Sequence, residues 1–105
     1  MLTDVKTWLE TTGYKVAEER FLKPPAQPYI IFVDNTEVGG ADNKNCIADR
    51  QISVELYSDK INNEAEQKIE GLLNGKVIHY SKVRAWIQTE MFFQTLYEFN
   101  LIEKL

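Results

Sequence analysis

Apolar side chains recur along this chain with two periods, and the switches between them mark its elements. Residues 3–12 follow helical spacing: Val5, Trp8 and Leu9 share one face, Thr3 is placed to cap the start, and Gly13 to end it. YKVAEERF (14–21) carries a weaker, extended pattern. KPPAQP (23–28) then excludes helix, because proline lacks an N–H and restricts the residue before it. Tyr29–Asp34 is β-branched and aromatic, apolar on both faces, as an interior strand should be. Residues 51–58 alternate: Ile52, Val54 and Leu56 face one way, Gln51, Ser53, Glu55 and Tyr57 the other. That is a strand with one buried face.

The period then changes to that of a helix. Ile61, Ala65, Ile69, Leu72 and Leu73 line one side, with Glu66, Gln67 and Glu70 expected on the solvated side. Asn63 and Glu66 have capping-box spacing, Glu64 and Lys68 form an oriented i,i+4 pair, and Asn74-Gly75 should end the helix. No Gly or Pro follows residue 75. In that last stretch Val83, Ala85, Ile87, Met91, Phe93, Tyr97, Phe99 and Leu101 alternate with mostly polar neighbours, interrupted by Trp86, Phe92 and Leu96. Twenty residues exceed an ordinary strand of ~3–10 residues, so a turn belongs near Thr89-Glu90 and the segment is a hairpin. Helix for 89–99 is the competing assignment, but aromatic and β-branched content favours strand.

The predicted fold is therefore α+β: one mostly antiparallel sheet of about 4–5 strands with two helices packed on it, in a single domain spanning 1–105. Between the two central strands the pattern leaves a loop from Asn35 to Ala48, longer than the usual ~2–5 residues. It contains Glu37, Gly39, Gly40, Ala41, Asp42, Asn43 and Lys44. A loop of this length is usually functional, and its paired glycines make it adaptable.

Charge and composition narrow the function. A net charge of −4 argues against a nucleic-acid grip, which needs cations to displace counterions from phosphate. The longest apolar run is far short of a membrane span, and MLTDVKTWLE has no secretory pattern. One cysteine, Cys46, fits a reducing compartment. Cys46 and His79 lie far apart in sequence and lack the companions of a nucleophilic or zinc site. The loop's calcium-like start at Asp34 fails, with Val38 where a ligand is needed and Asn45 where a bidentate Glu is needed. No catalytic, cofactor or metal residue is assigned. Trp86, Phe92 and Leu96 are either covered by the first helix through Trp8 or form a subunit interface.

Taken together and in order, PYIIFVDN (28–35), GADN (40–43), ISVELYSDKINNEAEQKIEGLL (52–73) and WIQTEMFFQTLYEF (86–99) resemble one family. It is the small tail-completion or head–tail joining proteins of long-tailed phages and prophages of Gram-positive bacteria, similar in fold to the lambda tail terminator. The resemblance implies a non-enzymatic virion protein, made in the host cytoplasm, that forms a hexameric ring on assembly and can be monomeric when free. It implies contact with head connector and tail tube proteins, passage of DNA without specific binding, and no membrane. Residues 39–43 would belong to the assembly loop, reaching roughly 20 Å towards a neighbour. The residues also leave open a monomeric interaction module using the 35–48 loop, or a small enzyme built on His79.

Overall fold

The computed structural model describes residues 4–39 and 47–104. Helix α1 (Val5–Glu10) starts at Asp4, whose carboxylate accepts from the Thr7 backbone N–H at 3.0 Å and its hydroxyl at 2.6 Å. The cap is thus Asp4; Thr3 lies outside the described residues. Gly13 takes a φ of +91° after the helix, as its position implied. Strand β1 (Lys15–Glu18) realises the weak extended pattern, running parallel to β2 (Tyr29–Gly39). Strand β3 (Ile47–Ser58), helix α2 (Asn63–Gly75), β4 (Tyr80–Ile87) and β5 (Phe92–Lys104) complete the chain. The sheet order is β1-β2-β3-β5-β4, antiparallel except for β1 and β2. The α+β prediction holds, with five strands and two helices. Residues 89–99 are turn and strand.

Both helices lie on one face of the sheet. Val5, Leu9, Ala65, Ile69 and Leu73 pack there against Ile30, Phe32, Ile52, Val54, Leu56, Tyr97 and Phe99. Burying side chains of this size contributes roughly 1.5–3 kcal/mol each, which is what fixes the strand register.

The long loop between the central strands is not observed as such. Pairing of β2 with β3 continues from Tyr29↔Tyr57 through Asn35↔Gln51 to Gly39↔Ile47, so Glu37 and Gly39 are strand residues. Gly40, Ala41, Asp42, Asn43 and Lys44 lie outside the described residues. Alternation could not reveal this extension, because beyond Asp34 both faces of β2 meet solvent and polar residues occupy both. β1 stops at Glu18 and β4 begins opposite Phe99, so β2, β3 and β5 run on as a three-stranded arm. The arm makes the molecule elongated, 50 × 28 × 22 Å, with a radius of gyration of 15.0 Å against ~13 Å for a compact chain of this size.

Helix α2 also departs from expectation at both ends. Its N-cap is Asn62, accepting from the Ala65 N–H at 3.0 Å, and Glu66 turns inward instead of closing a capping box. Ile61 precedes the helix and is exposed. At the other end Gly75 is still helical. The Val77 N–H bonds the Asn74 carbonyl and the Ile78 N–H bonds the Leu73 carbonyl, both at 3.0 Å. This is a Schellman ending with Val77, φ +54°, in the left-handed position usually taken by glycine.

A candidate assembly surface

On the helix side of the sheet a cluster of charged side chains is paired internally. Glu66, expected on the solvated face, is 2% exposed and points at the sheet. Arg84 donates to both its carboxylate oxygens, Lys82 lies 2.9 Å from Oε1, and the Thr95 hydroxyl donates to Oε2 at 2.8 Å. Hydrogen bonds from Arg84 hold the Glu66 carboxyl down to about 2. Lys82 also reaches Glu70 at 2.7 Å, and Glu70 accepts from the buried Tyr97 hydroxyl at 2.7 Å. Burial, then the Glu70 contact, pushes the Tyr97 phenol upward. The cluster ties α2 to the edge strand β4. Each ionised group of the cluster has an opposite charge within reach, so the arrangement fastens the fold.

The opposite face is different: no described helix lies over it. From the register it carries rows Lys15–Tyr29–Tyr57–Gln94–Ala85, then Ala17–Ile31–Glu55–Leu96–Val83, then Val33–Ser53–Glu98–Ser81, then Asn35–Gln51–Asn100. On the arm the next row is Glu37–Asp49–Ile102, and the row nearest the tip is Gly39–Ile47–Lys104. The face therefore grades from aromatic and aliphatic over the body, through amides and hydroxyls, to a mixed arm on which Glu37 and Asp49 lie beside the exposed Ile47 and Ile102. Phe21, Tyr29, Tyr57 and Phe92 form a chain of ring contacts along its lower end, with centroids 5.4, 5.3 and 5.0 Å apart. In the middle, Gln94 donates to Glu55 at 2.7 Å and to the Tyr57 oxygen at 3.0 Å, while the Tyr57 hydroxyl donates to Glu55. Burial and the bond to Glu55 push the Tyr57 phenol upward.

The three suspected interface residues do not form one patch. Trp86 pairs with Phe93 and so shares the helix face; it is 40% exposed, meets the Phe93 ring at 4.8 Å and donates from Nε1 to Gln88 at 2.8 Å. Phe92 and Leu96 are half-buried on the open face, alongside Ile87 and Val83. The turn spans Gln88–Met91, so an even-numbered residue in β4 faces the same way as an odd-numbered one in β5. Parity along the sequence hid that exchange. Trp8 does not cover the open face either: its ring lies 6.2 Å from Phe99 on the helix side.

His79 and Glu98 line one open cleft with Asn35, Gln51, Ser53 and Asn100, but no hydrogen bond joins them. Cys46 lies outside the described residues. Among the described residues no cluster of three metal-binding side chains occurs, and no helix is long and apolar enough to cross a membrane. Glu55, Gln94 and Glu66 were missed as site residues because each reads as an ordinary polar position in an amphipathic pattern. No family model matches the sequence, and no significant match exists among curated proteins.

Proposed function

We propose that this chain is a non-enzymatic structural subunit of a phage head–tail joint: a tail-completion ring protein that contacts the head connector and tail tube and lines the DNA passage. The observation that carries the reading is the sheet face that no described helix covers, continued into a three-stranded arm whose outer edges on β2 and β5 are unpaired among the described residues. A monomer gains nothing from aliphatic and aromatic side chains on an unpacked face, whereas an assembly subunit buries them against a neighbour. Unpaired strand edges likewise suit a chain completed by others. The ordered resemblance to tail-completion proteins supports the same reading. Asp34 is neutralised by Arg50, which leaves Glu37 and Asp49 as an acidic pair on the arm. An acidic wall repels phosphate and lets DNA slide.

The test is to replace residues 38–48 with a two-residue turn in the phage or prophage, which shortens the arm and keeps the core pairs. DNA-filled heads separate from free tails, with the purified variant still folded, are expected in electron micrographs of the lysate. Normal virions would overturn the assembly role of the arm.

A further inference from the structure

Resting on the reading as a ring subunit, we infer that the open face binds a second copy of this chain, whose Arg20 and Leu22 seat against Glu55 and Leu96. Glu55 stands alone as the charged member of the row Ala17–Ile31–Glu55–Leu96–Val83. It is half-buried, and Tyr57 and Gln94 both bind its Oε1. The carboxylates of Glu66, Glu70 and Asp34 each carry a cation, but none pairs with Glu55 among the described residues. A carboxylate oriented by two hydrogen bonds, flanked by aliphatic side chains and lacking a counter-charge, is a receptor for a cation bearing apolar neighbours.

The same chain supplies such a knob. Of its three arginines, Arg50 is on Asp34 and Arg84 on Glu66, whereas the Arg20 side chain has no partner among the described residues. Arg20 is exposed, at the point where Glu19, with φ +65°, turns the chain off β1. Leu22 follows at 94% exposure. Between them Phe21 is held edge-on against Tyr29 at 5.4 Å, so its two neighbours are presented outward from an anchored base. The anchored base confines the ordering cost of binding largely to the two side chains themselves. Charge complementarity therefore selects the occupant. The knob is beside the edge strand β1 and the socket is on β3 and β5, two and three strands inward. Two different surfaces meeting in this way make a head-to-tail contact, which closes into a ring or extends as a filament.

Sedimentation equilibrium on the purified chain, comparing wild type with Arg20→Glu, Glu55→Arg and the double variant, tests the contact. Each single change is expected to weaken self-association about 30-fold or more, and the double exchange to restore most of it. Arg20 is exposed, so Arg20→Glu keeps the test valid if Glu55→Arg disturbs Tyr57 and Gln94; far-UV circular dichroism checks both. Association unchanged by Arg20→Glu, or a wild-type chain that stays monomeric at its solubility limit, overturns the inference. Virion joining by the Arg20→Glu phage separates the two ideas. Rings and intact virions that ignore the substitution sink this contact and leave the assembly role standing, whereas normal virions without the arm sink the assembly role of the arm itself.

Discussion

Arg50 crosses the β2–β3 hairpin to place Nε and Nη2 on a single oxygen of Asp34, at 2.9 and 2.7 Å. Asp34 pairs in register with Ile52, so the contact is diagonal and falls where the core ends and the arm begins. Thr36 donates to the other Asp34 oxygen at 2.7 Å. The group splints a segment that has almost no apolar packing of its own.

Arg50→Gln leaves the half-buried Asp34 without its counter-charge and is expected to cost about 1–3 kcal/mol. The loss should be local. Amides in 35–39 and 47–50 should exchange faster by hydrogen-exchange mass spectrometry, while those of β4 and of β5 up to Phe99 keep their protection at equal global stability. Uniform loss of protection would show that the pair supports the whole sheet instead.

Glu66 ties stability to pH. Its folded carboxyl is held at about 2, below the ordinary 4.5, so the proton is bound more weakly in the folded chain than in the unfolded one. The contribution is full above about 4.5 and disappears as pH falls through about 2, and it is on the order of 3 kcal/mol. Urea unfolding of wild type should show that acid slope; Glu66→Gln should lose about 2–4 kcal/mol at pH 7 and flatten it. An unchanged slope in Glu66→Gln would assign acid sensitivity to other carboxylates.

These two ion pairs mark what the sequence conveys and what it hides. Elements with a buried face were legible, since Ile52, Val54 and Leu56, or Ala65, Ile69 and Leu73, can satisfy only one period. Glu66 was misplaced because helical spacing says which residues share a face but not how wide the covered face is. Arg84, reaching in from the edge strand, extends the sheet beneath it. The arm was misread as loop because its order comes from backbone pairing and the Asp34–Arg50 contact, neither of which leaves an apolar period. Similarly, the split of Trp86 from Leu96 depends on the four-residue turn at Gln88–Met91, whose length no alternation records.

The ending of α2 offers stabilisation without touching a core contact. Val77 is 85% exposed and β-branched in a left-handed conformation that costs L-residues roughly 1–2 kcal/mol. Val77→Gly relieves that strain, less what glycine's freedom in the unfolded chain takes back, for a net gain of about 0.5–1 kcal/mol. Gly71 is exposed within the helix and a methyl group there meets nothing within 4 Å. Gly71→Ala should add about 0.5–1 kcal/mol. The residues are six apart and share no contact, so calorimetry should find the two gains additive. A destabilised Val77→Gly would mean that Val77 is held by an apolar contact across the adjoining cleft.

Because Trp86 and Leu96 lie on opposite faces, truncating them should separate stability from assembly. Trp86 loses an edge-on contact with Phe93 and a bond to Gln88, both within its own hairpin, so Trp86→Ala should cost about 1–2 kcal/mol of stability. Self-association should not change, since the ring faces the helix side. Leu96 stands next to Glu55 and Val83 on the open face and is half-buried, with no described element covering it. Leu96→Gln keeps its bulk and its strand position but places an amide where an apolar neighbour should land. It should cost the monomer under about 1 kcal/mol and weaken self-association about 10-fold or more. Thermal melting and sedimentation on the same two variants decide the matter. Reversal of the pattern, with Trp86→Ala dissociating the chain and Leu96→Gln leaving it associated, would move the contact to the helix side of the hairpin.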